Sequence, residues 1–280
     1  LSPRKQRIYC CLLYDRAEFR GFFDYVGVTP FRTVGFIQTK LNVTKLIREE
    51  YNGKICANAG IEPVVRRYPV ELAYALALID VADYHSVTPP WLIKNYHEID
   101  NVVKNLCYTL CDEGCAYCRD RLDIHKKLKQ FFGYDKFRTY AGEPLQERAA
   151  QAAVDGRSLL AVFPTGGGKS ITFQLPALMA GECAHGLTVV ISPLQSLMKD
   201  QVDNLSEKGI VDAVTVNGML SPIERAEALE RVASGLATIF YISPEQLRSP
   251  TIEKLLLARN VVRFVIDEAH CFSAWGQDFR

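Results

Sequence analysis

No stretch of this 280-residue sequence stays apolar long enough to cross a bilayer as a helix. The longest nearly apolar run lies near Leu72 to Ile79, far short of the roughly 18 residues a spanning helix needs. The N-terminus also lacks the basic start, apolar middle and small-residue end of a secretory signal. These absences argue against a helical membrane protein and predict a soluble, cytoplasmic chain with no membrane partner. A surplus of either charge is missing too: 33 Lys and Arg face 32 Asp and Glu, a net of +1. Any contact with nucleic acid must then come from local patches. Low-complexity segments are absent, and 48% hydrophobic against 23% charged residues excludes wholesale disorder.

What is present has the size of about two domains. Nine cysteines are an odd number, and without a secretory signal they point to free thiols or metal ligands rather than a disulfide framework. The sequence opens on Leu1 and stops at Arg280, which predicts a piece of a longer protein. Residues 1–106 form an unassigned, mixed and mainly helical region, whose clearest element is a buried helix over Val70–Ala82. Residues 107–130 hold a cysteine cluster followed by an amphipathic, exposed helix over Arg119–Gln130, and mark the domain junction. From Phe131 onward, apolar runs at Leu159–Phe163, Leu187–Ile191, Ala213–Val216, Thr238–Ile242 and Val261–Ile266 predict buried parallel strands. Helical stretches separate them, so residues 131–280 read as an α/β fold with a parallel sheet and helices on both faces.

The strongest chemical signal is Pro164-Thr165-Gly166-Gly167-Gly168-Lys169-Ser170, placed between a predicted strand and a predicted helix. A phosphate-binding loop needs this context. Backbone N–H groups of Thr165 to Gly168 can turn toward phosphates, the helix N-terminus adds its positive end, Lys169 reaches the β/γ-phosphates and the Ser170 hydroxyl ligates Mg²⁺. About a hundred residues later, the last predicted strand delivers Asp267-Glu268-Ala269-His270. Asp267 suits a Mg²⁺ ligand, and Glu268 suits a base for the water that attacks the γ-phosphate, so Glu268, Lys169 and Asp267 form the candidate catalytic set.

These motifs resemble superfamily 2 helicases, and their surroundings resemble the RecQ family of DNA helicases. Phe132-Gly133-Tyr134 with Phe137-Arg138 is similar to that family's opening motif, whose Gln, here Gln146, recognises adenine. Extra residues between Arg138 and Gln146 depart from the pattern. Ile191-Ser192-Pro193-Leu194 with Lys199, and Tyr241-Ile242-Ser243-Pro244-Glu245, resemble motifs that run along a nucleic-acid strand; Ser192, Lys199 and Ser243 would touch phosphates. Cys271 to Arg280 resembles the family's aromatic-rich loop, in which Phe272, Trp275 and Phe279 can stack on unpaired bases with Arg280 beside them.

The resemblance implies a RecA-like lobe over residues 131–280, with ATP and Mg²⁺ as cofactors and single-stranded and partly duplex DNA as partner. It implies ATP hydrolysis stimulated by DNA, 3′–5′ translocation and strand separation, all in a longer chain whose second RecA-like lobe completes the site. The location would be the nucleoid in a bacterium or the nucleus in a eukaryote. Two other readings stay open: a DNA-dependent translocase of a nuclease or defence complex that does not unwind, and a non-hydrolysing DNA-binding scaffold. At the junction, Cys107, Cys111, Cys115 and Cys118 are close enough in sequence to surround one ion. Zinc, an iron–sulfur cluster and no metal at all are the alternatives there.

Overall fold

A computed structural model describes residues 2–13, 36–80, 95–96, 98–112, 114–164, 166–218 and 220–271, with the side chains of 36–42 left aside. The chain divides into two compact units, one built on Leu1–Asp80 and Leu92–Asp120, the other on Arg121–Arg280.

The first unit is helical. Its described helices are α1 (Pro3–Leu13), α2 (Phe36–Glu50), α3 (Ile61–Arg67), α4 (Pro69–Asp80), α5 (Ile99–Val103) and α6 (Ala116–Arg121), the last running to the unit's edge. Proline at the first position of α4 costs no hydrogen bond, and its sequence is apolar all round. Residues Val70 to Leu76 and Leu78 are accordingly buried. α4 ends at Asp80; Val81 and Ala82, expected to extend it, lie outside the described residues. Asp80 is flanked by the ammonium groups of Lys5 and Lys54. Burial alone would raise its pKa, but the two cations outweigh burial and hold it below the ordinary carboxylate value.

The second unit opens with α7 (Ile124–Phe132) and α8 (Leu145–Val154). The single exposed helix expected over Arg119–Gln130 is instead broken before α7. The Asp123 carboxylate accepts from the N–H groups of His125 and Lys126, a cap that starts a new helix at Ile124. Nor is α7 all exposed: Ile124, Leu128 and Phe132 enter the core, and the buried Lys127 ammonium pairs with Glu182 at 2.5 Å.

Then α9 (Ile171–Ala184), β1 (Leu187–Ile191), α10 (Gln195–Glu207), β2 (Ala213–Val216), α11 (Pro222–Ala233), β3 (Ile239–Ile242), α12 (Pro250–Leu257) and β4 (Val261–Ile266) alternate. Local signals fix the joints. At α11, Pro222 takes the first position, Glu224 N–H donates to the Ser221 hydroxyl at 3.3 Å, and Ser221 N–H donates to the Glu224 carboxylate at 2.8 Å. All strand pairs are parallel, in the order β2-β3-β1-β4. Side chains alternate between faces, as the two-residue period requires. Val190, Ile239 and Tyr241 pack with α7 and α9, while Val189, Ile191, Phe240 and Ile242 pack with α11 and α12. Helices thus cover both faces of a parallel sheet.

One expected strand is not there. Leu159–Phe163 forms no ladder with any described residue, and Leu159, Leu160 and Val162 are exposed. On β4, Phe264 and Ile266 are exposed as well. An apolar, β-branched sequence has strand propensity, but a strand exists only when a neighbour accepts its hydrogen bonds.

Close packing of α9 on the sheet yields a test with a definite sign. A Cβ added at Gly181 would lie 2.0 Å from Cγ2 of Thr238. Gly to Ala inside a helix ordinarily stabilises by about 1 kcal/mol. Here Gly181→Ala is expected to destabilise by about 1–3 kcal/mol through overpacking, read as a lower urea midpoint of unfolding; a raised midpoint would contradict this helix–strand contact.

Candidate active site

Both strong motifs sit where the parallel sheet ends. β4 stops at Ile266, and the Asp267 N–H still donates to the Ile191 carbonyl at 2.9 Å, so the ladder itself aims Asp267. Ligands of open α/β sheets gather at this carboxyl edge of the strands. Glu268 follows in the left-handed region at φ 50°, an uncommon place for a residue with a Cβ, and its N–H donates to Asp267 Oδ1 at 3.0 Å. The His270 Nδ1 lies 3.3 Å from Glu268 Oε2.

Residues 166–170 lead into the N-terminus of α9, with Ser170 as the flanking residue. Its first turn is tightened, the Thr172 N–H donating to the Lys169 carbonyl at 3.0 Å and the Phe173 N–H to the Ser170 carbonyl at 3.2 Å, and the positive end of the helix dipole faces the loop. Gly167 is needed for close approach, because a Cβ there would meet the Pro164 carbonyl oxygen at 2.7 Å. Lys169 reaches across to the acidic end of β4: its ammonium touches Glu268 Oε1 and lies 3.5 Å from Asp267 Oδ1. Partial burial would lower the Lys169 pKa, but the two carboxylates outweigh it and raise it above the ordinary value. A raised lysine pKa keeps the cation charged throughout the neutral range.

Three side chains that precede the loop hold its backbone. Gln146, almost fully buried at 2% exposure, donates from Nε2 to the Gly168 carbonyl at 2.8 Å and accepts at Oε1 from the Arg138 N–H at 2.8 Å. Arg138 Nη1 donates to the Gly166 carbonyl at 3.1 Å, and the Tyr140 hydroxyl donates to the Gly167 carbonyl. The extra residues between Arg138 and Gln146 fold into a two-residue hairpin. Tyr140 and Glu143 exchange N–H···O bonds of 2.9 Å, and Ala141 and Gly142 turn between them at φ 49° and 85°. That hairpin carries Tyr140. A cleft of about 520 Å³ beside the loop is lined by Tyr134, Arg138, Gln146, Gly168, Ser170 and Gln174, among others.

The structure therefore brings Gln146, Gly166, Gly167, Gly168, Lys169, Ser170, Asp267 and Glu268 to one place. Arg138, Tyr140 and His270 join them, and the sequence offered no motif for Tyr140. Thr165, Phe272, Trp275, Phe279 and Arg280 lie outside the described residues. Lys199 is exposed on α10. Ser192 and Ser243 differ from expectation. Each follows a core strand, and the ladder continuing from β1 draws Ser192 N–H onto the Ile242 carbonyl, so both are buried, at 1% and 5% exposure. The Ser192 hydroxyl is itself buried.

The cysteines also differ. Cys56, Cys111, Cys115 and Cys118 gather in the first unit with their sulfurs within 4.8 Å of one another. Cys107 is not among them: the π-helical turn Lys104–Tyr108 rotates it into the core at 0% exposure, where its carbonyl accepts from the Tyr117 hydroxyl at 3.1 Å. Cys56, more than fifty residues earlier, takes its place.

Residues 143–280 match the family model of DEAD/DEAH box helicases. The chain is 46% identical over 154 residues to the ATP-dependent DNA helicase RecQ of Bacillus subtilis, covering 55% of this chain and 24% of that protein. It is 42% identical over 153 residues to RecQ of Haemophilus influenzae, covering 55% and 23%. It is also 42% identical over 165 residues to ATP-dependent DNA helicase Q5 of Rattus norvegicus, covering 56% and 16%. The match thus spans a quarter or less of the length of these relatives. Among the described residues no helix is long and apolar enough to cross a membrane.

The double hydrogen bond of Gln146 is expected to be worth more than its polarity suggests. Gln146→Ala leaves a part-buried N–H and a carbonyl without partners, and should lower stability by about 1–3 kcal/mol. The same change should weaken nucleotide binding, because Gly168 loses its tether. Thermal unfolding together with titration of a fluorescent nucleotide checks both; unchanged affinity would detach Gln146 from the loop's function.

Proposed function

We propose, from a chain that carries a DEAD/DEAH box helicase domain over residues 143–280, that its second unit is the ATP-binding lobe of an ATP-dependent DNA helicase. In the full-length protein, ATP hydrolysis stimulated by DNA would drive 3′–5′ translocation and strand separation. The observation that carries this reading is the meeting of Lys169 with Glu268 and Asp267, which makes one site of a phosphate-type loop and an acidic strand end.

The residues fit Mg²⁺-ATP. A glycine cradle closed to any Cβ at position 167 opens onto a helix N-terminus, and a hydroxyl and a buried carboxylate stand nearby as hard oxygen ligands. Bound Mg²⁺ would draw charge from the β- and γ-phosphate oxygens, and Ser170 and Asp267 would hold it. Lys169 leaves its carboxylate partners to bind the phosphates. Glu268, freed from Lys169, accepts at a carboxylate oxygen the proton of the attacking water, while His270 restrains the other oxygen. Gln146 turns its amide toward adenine from the wall of the cleft. Lys199, and Phe272, Trp275, Phe279 and Arg280 further along, contact single-stranded or partly duplex DNA, with stacking on bases supplying affinity without sequence preference. A second RecA-like lobe of the same protein closes the cleft. This activity locates the protein with DNA, in a nucleoid or a nucleus.

ATP hydrolysis by the full-length protein, with and without single-stranded DNA, tests the reading. DNA should raise turnover, and both Lys169→Ala and Glu268→Gln should reduce it by about 10²-fold or more, the usual contribution of a positioned base or charge. Nucleotide affinity should fall in Lys169→Ala and persist in Glu268→Gln. Hydrolysis indifferent to DNA, or surviving both substitutions, would overturn the proposal.

A further inference from the structure

The first unit holds four sulfurs that the nucleotide site does not use. Cys56 Sγ lies 3.6 Å from Cys118 Sγ and 3.8 Å from Cys115 Sγ, and with Cys111 all four fall within 4.8 Å. No pair is bonded, since all the cysteines are free thiols. Four thiols are poor partners for one another, because S–H is a weak donor and sulfur a weak acceptor. Four thiolates around one ion at about 2.3 Å, by contrast, sit at the corners of a tetrahedron with edges of about 3.8 Å. The two short separations match that edge.

The backbone is shaped for thiolates as well. Two similar turns present the ligands: the Ala59 N–H returns to the Cys56 carbonyl at 3.2 Å, and the Gly114 N–H returns to the Cys111 carbonyl at 3.0 Å. Inside the second turn, the Cys115 N–H donates to Cys111 Sγ at 3.3 Å, and the Asn58 side-chain amide donates to the same sulfur at 3.6 Å. Such N–H···S bonds gain strength when the sulfur carries charge, and they orient ligands around a metal. The Cys56 turn is itself fixed, its N–H donating to the Leu106 carbonyl at 2.9 Å.

We propose that Cys56, Cys111, Cys115 and Cys118 bind one zinc ion in a closed, tetrahedral, four-thiolate site that clips the Cys56 turn to the Cys111–Cys118 segment. On binding, the four S–H groups release their protons to solvent and four Zn–S bonds form, with no change of oxidation state. All four positions are filled by protein sulfur, so the ion is structural and has no place for substrate. An iron–sulfur cluster fits less well, because its four thiolates are divided among two or four irons and the sulfurs as a set would stand further apart than they do. The ion would add its binding energy to folding, joining residues 59 positions apart in a small helical unit. All four ligands belong to the first unit.

Metal analysis of the 280-residue chain, purified without oxygen from cells supplied with both zinc and iron, tests the proposal. The expected result is about one zinc per chain, no acid-labile sulfide, and a zinc-edge X-ray absorption spectrum with four sulfur neighbours near 2.3 Å, the ordinary Zn–S distance. Cys107→Ala should keep the zinc, and Cys56→Ser should lose most of it. Iron with sulfide, metal only at trace level, or zinc retained in Cys56→Ser would each overturn the assignment. If Cys56→Ser does not fold, the spectrum of the unaltered chain still decides, because fewer than four sulfur neighbours contradicts the site.

Discussion

Everything at the carboxyl edge of the sheet depends on one charge arrangement, the Lys169 ammonium set against Glu268 and Asp267. Asp267 is 8% exposed, and a carboxylate so placed needs a counter-charge. Lys169 supplies it from the glycine loop, and in doing so it holds that loop against the end of β4. The contact is also a lock. A polyphosphate that takes Lys169 away leaves two carboxylates facing a strongly negative ligand. An accompanying cation would relieve that repulsion, so under the proposed function binding of nucleotide and of its divalent ion would be coupled through one lysine.

A second layer governs the shape of the loop. Its carbonyls at 166, 167 and 168 are each taken by a different side chain, Arg138, Tyr140 and Gln146. Tyr140 belongs to the hairpin, Gln146 follows it, and Arg138 gives its own N–H to Gln146. The Gly167 N–H in turn donates to the Pro164 carbonyl at 2.9 Å, so the loop backbone is held from both sides. Under the proposed function, adenine recognition by Gln146 would involve an exchange of partners, since both ends of its amide are engaged.

Much of this was legible in the sequence, for identifiable reasons. The four strands were readable because each is a short, largely apolar run flanked by turns; β1, β2 and β3 are buried along their whole length and have the composition of parallel strands covered on both faces. The loop and the acidic pair were readable because their chemistry is compressed into a few adjacent residues. Features that rest on distant partners were not readable. Leu159–Phe163 has the composition of a strand without a described neighbour to pair with. Cys56 stands alone in sequence, and local spacing favoured Cys107, which a π-helical turn carries into the core. The exposed-helix reading of Arg119–Gln130 counted charges, while Asp123 and the buried Lys127–Glu182 pair decided the outcome. Ser192 and Ser243 look like exposed hydroxyls only until the ladder is traced past the strand ends.

Glu268 carries a consequence beyond its chemistry. Its backbone sits at φ 50°, where glycine or asparagine would be comfortable and a glutamate is strained by of order 1–3 kcal/mol. Fold and reaction thus make opposite demands on one position. Mutational drift under selection for stability alone would replace this residue, and lineages that ceased to hydrolyse nucleotide should lose it early while keeping Asp267, whose N–H and burial serve the sheet. Under the proposed function, the glutamate would be held at this position by its chemistry, against the preference of its own backbone.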